Sequence, residues 1–222
     1  MLRASALDRI SGTSATGCVT ACTIGAFLLG YLLLERKMLP RQWWPALAKF
    51  YFTPMMVPNL LFRIAQGKPY FTEVDSVVML GAVPMVVAGH LSSLHDAGVR
   101  AVVNLQAEYP GPVASYAAMH PPIEQLWLPV VDHTEPSVEV LRSAVLFIAK
   151  YRALGHRVLV HCKGGHGRSA AVAMAWLIRA HELTPQAAQR RLSSMRHVRK
   201  ALYQQAAVLQ FYEGEQTSKA KL

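Results

Sequence analysis

The chain has few cysteines and few acidic residues. Three cysteines in 222 residues are too few for a disulfide framework. Only 13 residues are Asp or Glu, against 23 Lys and Arg, so the formal net charge is +10. The sequence also lacks internal repeats and recognisable nucleic-acid-binding motifs. A basic chain without such a motif favours other anionic partners, such as lipid headgroups, over nucleic acid.

One stretch, residues 13–34, contains neither a charged residue nor proline. A bilayer core is spanned by about 20 helical residues, so this stretch predicts a single-pass transmembrane anchor. The larger positive excess follows it, at Arg36, Lys37 and Arg41, which predicts that the rest of the chain faces the cytosol or the mitochondrial matrix. A reactive thiol would need such a reducing compartment.

Residues 1–12 form a possible targeting segment, because they are basic and contain a single acid. A cleaved signal peptide is the competing interpretation of the whole N-terminus. The apolar run is long for a signal peptide, and no small-residue cleavage site follows it.

Residues 35–69 are predicted to be an interfacial or linker region. They are rich in aromatic residues that prolines interrupt, and basic residues lie among them, a composition that suits the headgroup layer. The alternative is that the aromatic side chains pack onto a following domain. The aromatic residues are Trp43, Trp44, Phe50, Tyr51, Phe52 and Phe62.

Short apolar strands alternate with helical segments from residue 70 onward. The pattern predicts an α/β fold with a central, mainly parallel sheet flanked by helices, and a site at the carboxyl end of a strand. We expect one catalytic domain over residues 70–215 and a polar tail over 216–222. The predicted strands are 77–80, 101–105, 123–128 and one at 158–160; the predicted helices are 92–97, 136–154, 170–180, 185–195 and 201–213.

A glycine-rich run follows the last predicted strand and carries Cys162 and Arg168 six positions apart. A strand, a glycine-rich turn and a helix N-terminus together form an anion cradle of inward-pointing amides. Positive potential there should lower the pKa of Cys162 below the ~8.5 of a free cysteine, leaving a thiolate nucleophile. Arg168 can grip two phosphate oxygens with its planar fork. Ser169 can donate a hydrogen bond to the sulfur.

The other residues of the run have supporting roles. Gly164, Gly165 and Gly167 are expected to remove Cβ atoms where the backbone closes around a ligand. His161 is expected to orient the loop through buried hydrogen bonds.

Two further residues of the loop bear on substrate choice. Lys163 and His166 would add positive charge around the pocket and favour a substrate with a second anionic group. The alternative is that Lys163 faces solvent and His166 only packs.

Asp132 is the leading candidate for a general acid. It stands thirty residues before Cys162, on a predicted loop after the strand at 123–128. One carboxyl group that alternates between its two forms can protonate a leaving oxygen and later activate water. Asp132 could instead be a turn or cap residue. Glu135 and Glu124 are weaker candidates.

The run from His161 to Ser169 matches the pattern His-Cys-X5-Arg-Ser/Thr. At these residues the chain resembles the cysteine-dependent protein tyrosine phosphatase superfamily, most closely its compact dual-specificity branch. The resemblance implies an α/β fold and a two-step phosphate hydrolysis without a metal or other cofactor. It also implies a mobile loop that bears the acid.

Further segments narrow the resemblance. Leu80-Gly81-Ala82-Val83-Pro84, Glu108-Tyr109 and the later motifs occur in the same order in mitochondrial phosphatases named for dephosphorylating phosphatidylglycerophosphate. This implies that Asp132, Cys162 and Arg168 are catalytic, that Glu108 and Tyr109 lie on a loop lining the site, and that the protein resides in the mitochondrial inner membrane. The chain departs from animal members at Gly164 and His166-Gly167, which bears on the choice of lipid.

The leading interpretation is a membrane-anchored lipid phosphatase that acts on phosphatidylglycerophosphate. The alternatives are a dual-specificity protein phosphatase with phosphoprotein substrates, a phosphoinositide phosphatase, and a protein that binds phosphorylated ligands without turnover. A basic cluster near the C-terminus is either a further headgroup-binding face or a solvated helix face. Its members are Arg190, Arg191, Arg196, Arg199 and Lys200.

Overall fold

The computed structural model of the chain describes residues 5–220, without the side chains of residues 5–16, 59, 62 and 63. The chain divides into two compact units, Met1–Leu47 and Ala48–Leu222. Of the possible targeting segment at 1–12, residues 1–4 and all side chains lie outside the described residues.

The first unit consists mainly of one long helix, α1, Ser5–Glu35. Its segment Gly17–Glu35 has a mean hydropathy of 2.0, and among the described residues it is the one helix long and apolar enough to cross a membrane. Apolar side chains such as Ile24, Leu28 and Leu29 are exposed along it. The helix therefore includes the predicted anchor at 13–34 and extends beyond it at both ends.

A second helix, α2, runs without interruption over Trp44–Ala65. Pro54 and Pro58 both lie inside the helix, so the prolines that interrupt the aromatic residues do not end it. The two prolines are one turn apart and exposed, so the carbonyls that lose a hydrogen bond are on the solvent side. Tyr51 and Phe52 are buried, as the packing alternative expects, whereas Phe50 is exposed.

The second unit is built on a five-stranded sheet in the order β1-β2-β5-β3-β4. β1 pairs antiparallel with β2, and the other pairings are parallel, which confirms the predicted α/β class with a mainly parallel sheet. The strands are β1 Phe71–Glu73, β2 Val78–Gly81, β3 Val99–Gln106, β4 Glu124–Val130 and β5 Arg157–His161.

Helices cover both faces of the sheet. One apolar cluster joins the sheet to α5, α6 and α8, and a second, which includes Leu91, Leu94 and Tyr116, joins the other face to α3 and α4. The helices are α3 His90–Asp96, α4 Val113–Ala117, α5 Val138–Ala153, α6 Arg168–Ala180, α7 Pro185–Met195 and α8 Ala206–Lys219. β5 and α6 lie at the centre, so the loop that joins them is anchored on both sides by buried elements.

Several helix boundaries differ from the sequence predictions, among them those of α5 and α8. α5 begins after Pro136 because the Ser137 hydroxyl caps it, accepting the Val140 N–H. α8 begins at Ala206, after a short 3-10 turn, rather than at residue 201. It runs on to Lys219, which pairs with Glu182, so residues 216–219 extend the helix instead of forming a tail. Residues 221 and 222 lie outside the described part.

Candidate active site

The glycine-rich loop joins the carboxyl end of β5 to the first turn of α6, and Cys162 lies at its base. The side chain is buried, and its Sγ accepts hydrogen bonds from the Gly165 N–H at 3.3 Å and the Ser169 hydroxyl at 3.2 Å. Burial raises the pKa of the Cys162 thiol, but the Arg168 charge and these hydrogen bonds outweigh it and lower the pKa overall. The site therefore favours a thiolate.

The shape of the loop depends on glycine at position 165. Gly165 has φ +74°, and a Cβ there would lie 2.6 Å from the Gly81 carbonyl oxygen and 2.7 Å from a guanidinium nitrogen of Arg196. A Cβ on Gly167 would lie 3.3 Å from Arg199. The backbone of Gly81 therefore accounts for glycine at position 165, whereas at position 167 the nearest atoms belong to the flexible Arg199 side chain.

Arg168 is the electrostatic centre of the site. Its two terminal nitrogens form a bidentate pair with Glu108 at 2.7 and 2.8 Å, and Nη1 also donates to the Val130 carbonyl at 2.8 Å. Both charged side chains are almost fully buried. Burial alone would lower the pKa of Arg168, but Glu108 and Asp132 raise it above its usual value, so the guanidinium stays charged. Glu108 thus fixes the orientation of the arginine fork.

Asp132 follows the end of β4 and reaches the same arginine. Its Oδ1 lies 2.9 Å from Arg168 Nη2, and its Oδ2 lies 3.6 Å from Lys163 Nζ. Burial raises the pKa of Asp132, but the charges of Arg168, Lys163 and His133 lower it below the usual value overall. The carboxyl group is therefore ionised, and the Lys163 side chain points toward it rather than into solvent.

The weaker acid candidates lie elsewhere. Glu124 begins β4, at the opposite edge of the sheet from the glycine-rich loop, and pairs there with Lys150 and Tyr151. Glu135 is exposed. Of the three carboxylates, Asp132 is the one that contacts Arg168.

The two histidines of the loop differ from each other. Burial lowers the pKa of His161 to about 3, although a hydrogen bond with the backbone of Cys162 acts in the opposite direction. The ring is fully buried and neutral, and its role in orienting the loop stays a prediction. His166 Nδ1 lies 2.6 Å from the His197 carbonyl oxygen, so a polar contact holds its side chain against the segment after α7.

Arg196 is a site residue that sequence reasoning misplaced. It was grouped with a basic surface cluster, yet it is buried and donates to the carbonyls of Gly165 at 3.1 Å and Gly164 at 3.2 Å. It also donates to the Pro69 carbonyl, before β1. With two loop carbonyls turned toward Arg196, the Gly165 amide is free to point at the Cys162 sulfur. No local pattern distinguishes this arginine from its exposed neighbours.

Tyr109 connects the site with α2. Its ring stacks on Phe52, with the centroids 5.2 Å apart and an interplanar angle of 24°. Its backbone directly follows Glu108, and its carbonyl accepts from the Asn104 side chain at 3.0 Å. The loop that presents Glu108 is therefore supported by the helix before the sheet.

Comparison with known proteins agrees with this geometry. Residues 80–215 match the model of the family "Dual specificity phosphatase, catalytic domain". A curated relative from Homo sapiens, named phosphatidylglycerophosphatase and protein-tyrosine phosphatase 1, is 33% identical over 159 residues, which cover 65% of this chain and 79% of the relative.

Solved structures agree as well. A crystal structure of PTPMT1 is 30% identical and superposes with a TM-score of 0.61, covering 69% of this chain and all of that one. A complex of PTPMT1 with PI(5)P is 26% identical, with a TM-score of 0.60 over 68% of this chain and 99% of that one. These matches confirm the resemblance inferred from the motif, and the chain belongs to the dual-specificity phosphatase family of cysteine-dependent phosphatases.

Proposed function

We propose that the protein is a membrane-anchored phosphatase that hydrolyses the phosphomonoester of an anionic phospholipid, with phosphatidylglycerophosphate as the best-fitting substrate and phosphatidylglycerol as the product. The observation that carries this proposal is the convergence of Cys162, Arg168, Lys163 and Asp132 on one pocket. Two cations beside a thiolate suit a ligand with more negative charge than one phosphate group.

In the first step the Cys162 thiolate attacks phosphorus, and the P–S bond forms as the bond to the leaving oxygen breaks. Asp132 gives its proton to that oxygen. In the second step the Asp132 carboxylate takes a proton from water, whose oxygen attacks phosphorus. The P–S bond then breaks, and the Ser169 hydroxyl stabilises the returning thiolate.

Substrate binding explains how the Asp132 carboxyl group becomes protonated. In the free site Arg168 and Lys163 keep Asp132 ionised. A phosphate dianion takes over the contact with Arg168, and its negative charge raises the pKa of the nearby Asp132 carboxyl group. Glu108, which is fully buried, keeps the guanidinium in place during this exchange.

The amides of Gly164, Gly165 and Gly167 cradle the phosphate oxygens in this proposal, and Lys163 and His166 contact the second anionic group. Glu108 and Tyr109 line the pocket wall. The catalytic domain spans residues 70–215, the anchor spans 13–34, and residues 35–69 rest at the membrane interface.

The proposed location is the mitochondrial inner membrane, with the domain on a reducing side, either the matrix or the cytosolic one. The apolar helix Gly17–Glu35 supports the anchor. The positive residues after that helix support the proposed side of the membrane. A thiolate also needs a reducing compartment, which supports the same side.

Two other substrates have specific support. The PTPMT1 complex with PI(5)P favours a phosphoinositide, and the human relative's name includes protein-tyrosine phosphatase. The test is phosphate release from micellar phosphatidylglycerophosphate, phosphoinositides and a phosphotyrosine peptide, measured side by side. We expect the glycerophosphate lipid to have the highest kcat/KM; a higher value for the peptide would reject the lipid proposal.

Cys162→Ser is the control for this experiment. It should abolish release from every substrate. If the unchanged protein binds these ligands but releases no phosphate, the protein is a non-catalytic binder.

A further inference from the structure

An open cavity lies between α2 and the glycine-rich loop. It is partly open to solvent and lies within the second unit. Its wall is mostly apolar, with one cationic side chain at the end near the catalytic pocket. The lining includes Phe52, Met56, Leu60, Tyr70, Val83 and Lys163.

Lys163 both lines the cavity and contacts the active site. This residue directly follows Cys162, and its side chain lies 3.6 Å from Asp132. Its backbone carbonyl accepts the Val83 N–H at 3.5 Å, so the segment after β2 forms a shared wall. The polar end of Tyr70 is already engaged, because its hydroxyl donates to the Val83 carbonyl at 2.6 Å.

One face of α2 supplies the apolar wall. Phe52, Met56 and Leu60 are spaced four residues apart and therefore lie on one side of the helix. Phe52 is buried against Tyr109, whereas Met56 and Leu60 are half-buried and retain surface for a ligand.

The opposite face of α2 is apolar and exposed. Phe50, Val57, Leu61 and Ile64 are between 53% and 66% exposed. Exposed Lys49 and Lys68 lie near the two ends of this stripe. An apolar stripe flanked by cations suits the interface of an anionic bilayer, which would place the mouth of the cavity close to lipid.

We infer that this cavity is a subsite for the glycerol backbone and first acyl carbons of the phospholipid whose phosphomonoester occupies the glycine-rich loop. The inference rests on the proposed lipid phosphatase function. The cation near Cys162 and the apolar wall beyond it match the order of groups along such a lipid. Because the cavity is small and partly open, it would hold only part of the molecule, and the distal chains would remain in the bilayer.

The test compares two neighbouring leucines. Leu60→Gln puts an amide into the cavity wall, and Leu61→Gln makes the same change on the opposite face of α2. We measure kcat/KM for a short-chain phosphatidylglycerophosphate below its micelle concentration and for a soluble aryl phosphate. Leu60→Gln should lower the lipid-to-aryl ratio about tenfold, the scale of one lost apolar contact in a pocket. Leu61→Gln should leave the ratio unchanged.

A second measurement keeps the test informative if a leucine variant fails to fold. The unchanged protein should gain kcat/KM as the acyl groups lengthen from two to six carbons, and Met56→Gln should flatten that gain. Equal ratios for the two leucine variants, or no gain with chain length, would overturn the subsite. If the unchanged protein prefers the phosphotyrosine peptide over all lipids, the proposed function fails instead, which is a distinguishable result.

Discussion

Arg168 contacts two carboxylates that differ in exposure. The Glu108 side chain is 1% exposed, whereas that of Asp132 is 17% exposed. Removing one partner of a fully buried pair leaves an uncompensated charge, which costs about 3–5 kcal/mol. Exchange of the more exposed partner costs less, because water and substrate can replace it. We therefore assign Glu108 to positioning and Asp132 to chemistry.

The state of the Cys162 thiol is directly measurable. In a Cys18→Ser/Cys22→Ser background, the pH midpoint of iodoacetamide alkylation should lie below the ~8.5 of a free cysteine. Ser169→Ala removes one hydrogen bond from the thiolate and should move the midpoint to higher pH. An ordinary midpoint in the parent protein would contradict an activated nucleophile.

Replacement of Asp132 by Asn should lower kcat by about 10²–10⁴, because the leaving oxygen then receives no proton. The loss should be smaller for an aryl phosphate with a good leaving group. Asp132 acts as an acid only while it is protonated in the complex, so kcat of the unchanged protein should fall as pH rises. The Asp132→Asn variant should not show this fall. Glu124→Gln is the matched control and should behave like the unchanged protein.

Arg196 is expected to act through the loop rather than on the substrate. Arg196→Lys keeps the charge but cannot hold both loop carbonyls and the Pro69 carbonyl. We expect kcat/KM to fall roughly 10- to 100-fold from misplaced loop amides. Inhibition by inorganic phosphate should weaken, and the alkylation midpoint of Cys162 should rise.

Arg190→Lys, on the exposed side of α7, is the control for this variant. If the alkylation midpoint of Cys162 is unchanged in Arg196→Lys, then Arg196 contributes to the stability of the protein and does not position the loop amides.

At the scale of elements, α6 is held at both ends. Its first turn carries Arg168 and Ser169, and near its last turn Asp75 accepts hydrogen bonds from Trp176 and His181 at 2.7 and 2.8 Å. Asp75 also accepts the Val77 and Val78 N–H groups in the turn between β1 and β2. One carboxylate therefore fixes the edge of the sheet to the helix that begins at the glycine-rich loop.

This contact predicts a pH dependence of stability. Burial raises the pKa of Asp75, but its hydrogen bonds, led by that with His181, lower it below the usual value overall. The stabilisation is thus present above the unfolded pKa of about 3.9 and is lost as pH falls through the lower folded pKa. Asp75→Asn should reduce the free energy of unfolding by about 1.5–3 kcal/mol at pH 7.

The difference between Asp75→Asn and the unchanged protein should shrink below about pH 4. Urea unfolding at a series of pH values measures this difference in the free energy of unfolding. The exposed Asp96→Asn variant is the control, and a difference that persists at acid pH would argue against this linkage.

At the scale of the whole molecule, an apolar helix and a net charge of +10 give two independent reasons for membrane association. Charge attraction is screened by salt, whereas an inserted helix is not released by salt or alkali. We expect the protein to stay in the membrane pellet after high-salt and alkaline carbonate washes.

Leu28→Lys/Leu29→Lys should release the protein in carbonate, because each buried charge costs about 2.5–3.5 kcal/mol on insertion. Leu28→Ala/Leu29→Ala should remain in the pellet. Release of the unchanged protein by salt alone would show that charge, not the helix, holds it.

Features that are local in sequence could be predicted. Strand and helix alternation predicted the mainly parallel sheet, and the nine residues from His161 to Ser169 predicted where the glycine-rich loop lies. The order β1-β2-β5-β3-β4 could not be read in this way, because apolar strands look alike in sequence. The uninterrupted α2 was missed because proline weighs against a helix, and only the exposure of Pro54 and Pro58 shows why it is tolerated.

The sequence by itself determined the α/β class, the thiol and arginine of the phosphatase motif and the long apolar helical segment, because each depends on residues close together in the chain. The tertiary structure decided which distant groups meet them. Glu108 is 60 residues from Arg168, and Arg196 is 31 residues from Gly165. These contacts form only because β3, β5 and the end of α7 converge at one edge of the sheet, and the cavity beside α2 forms in the same way.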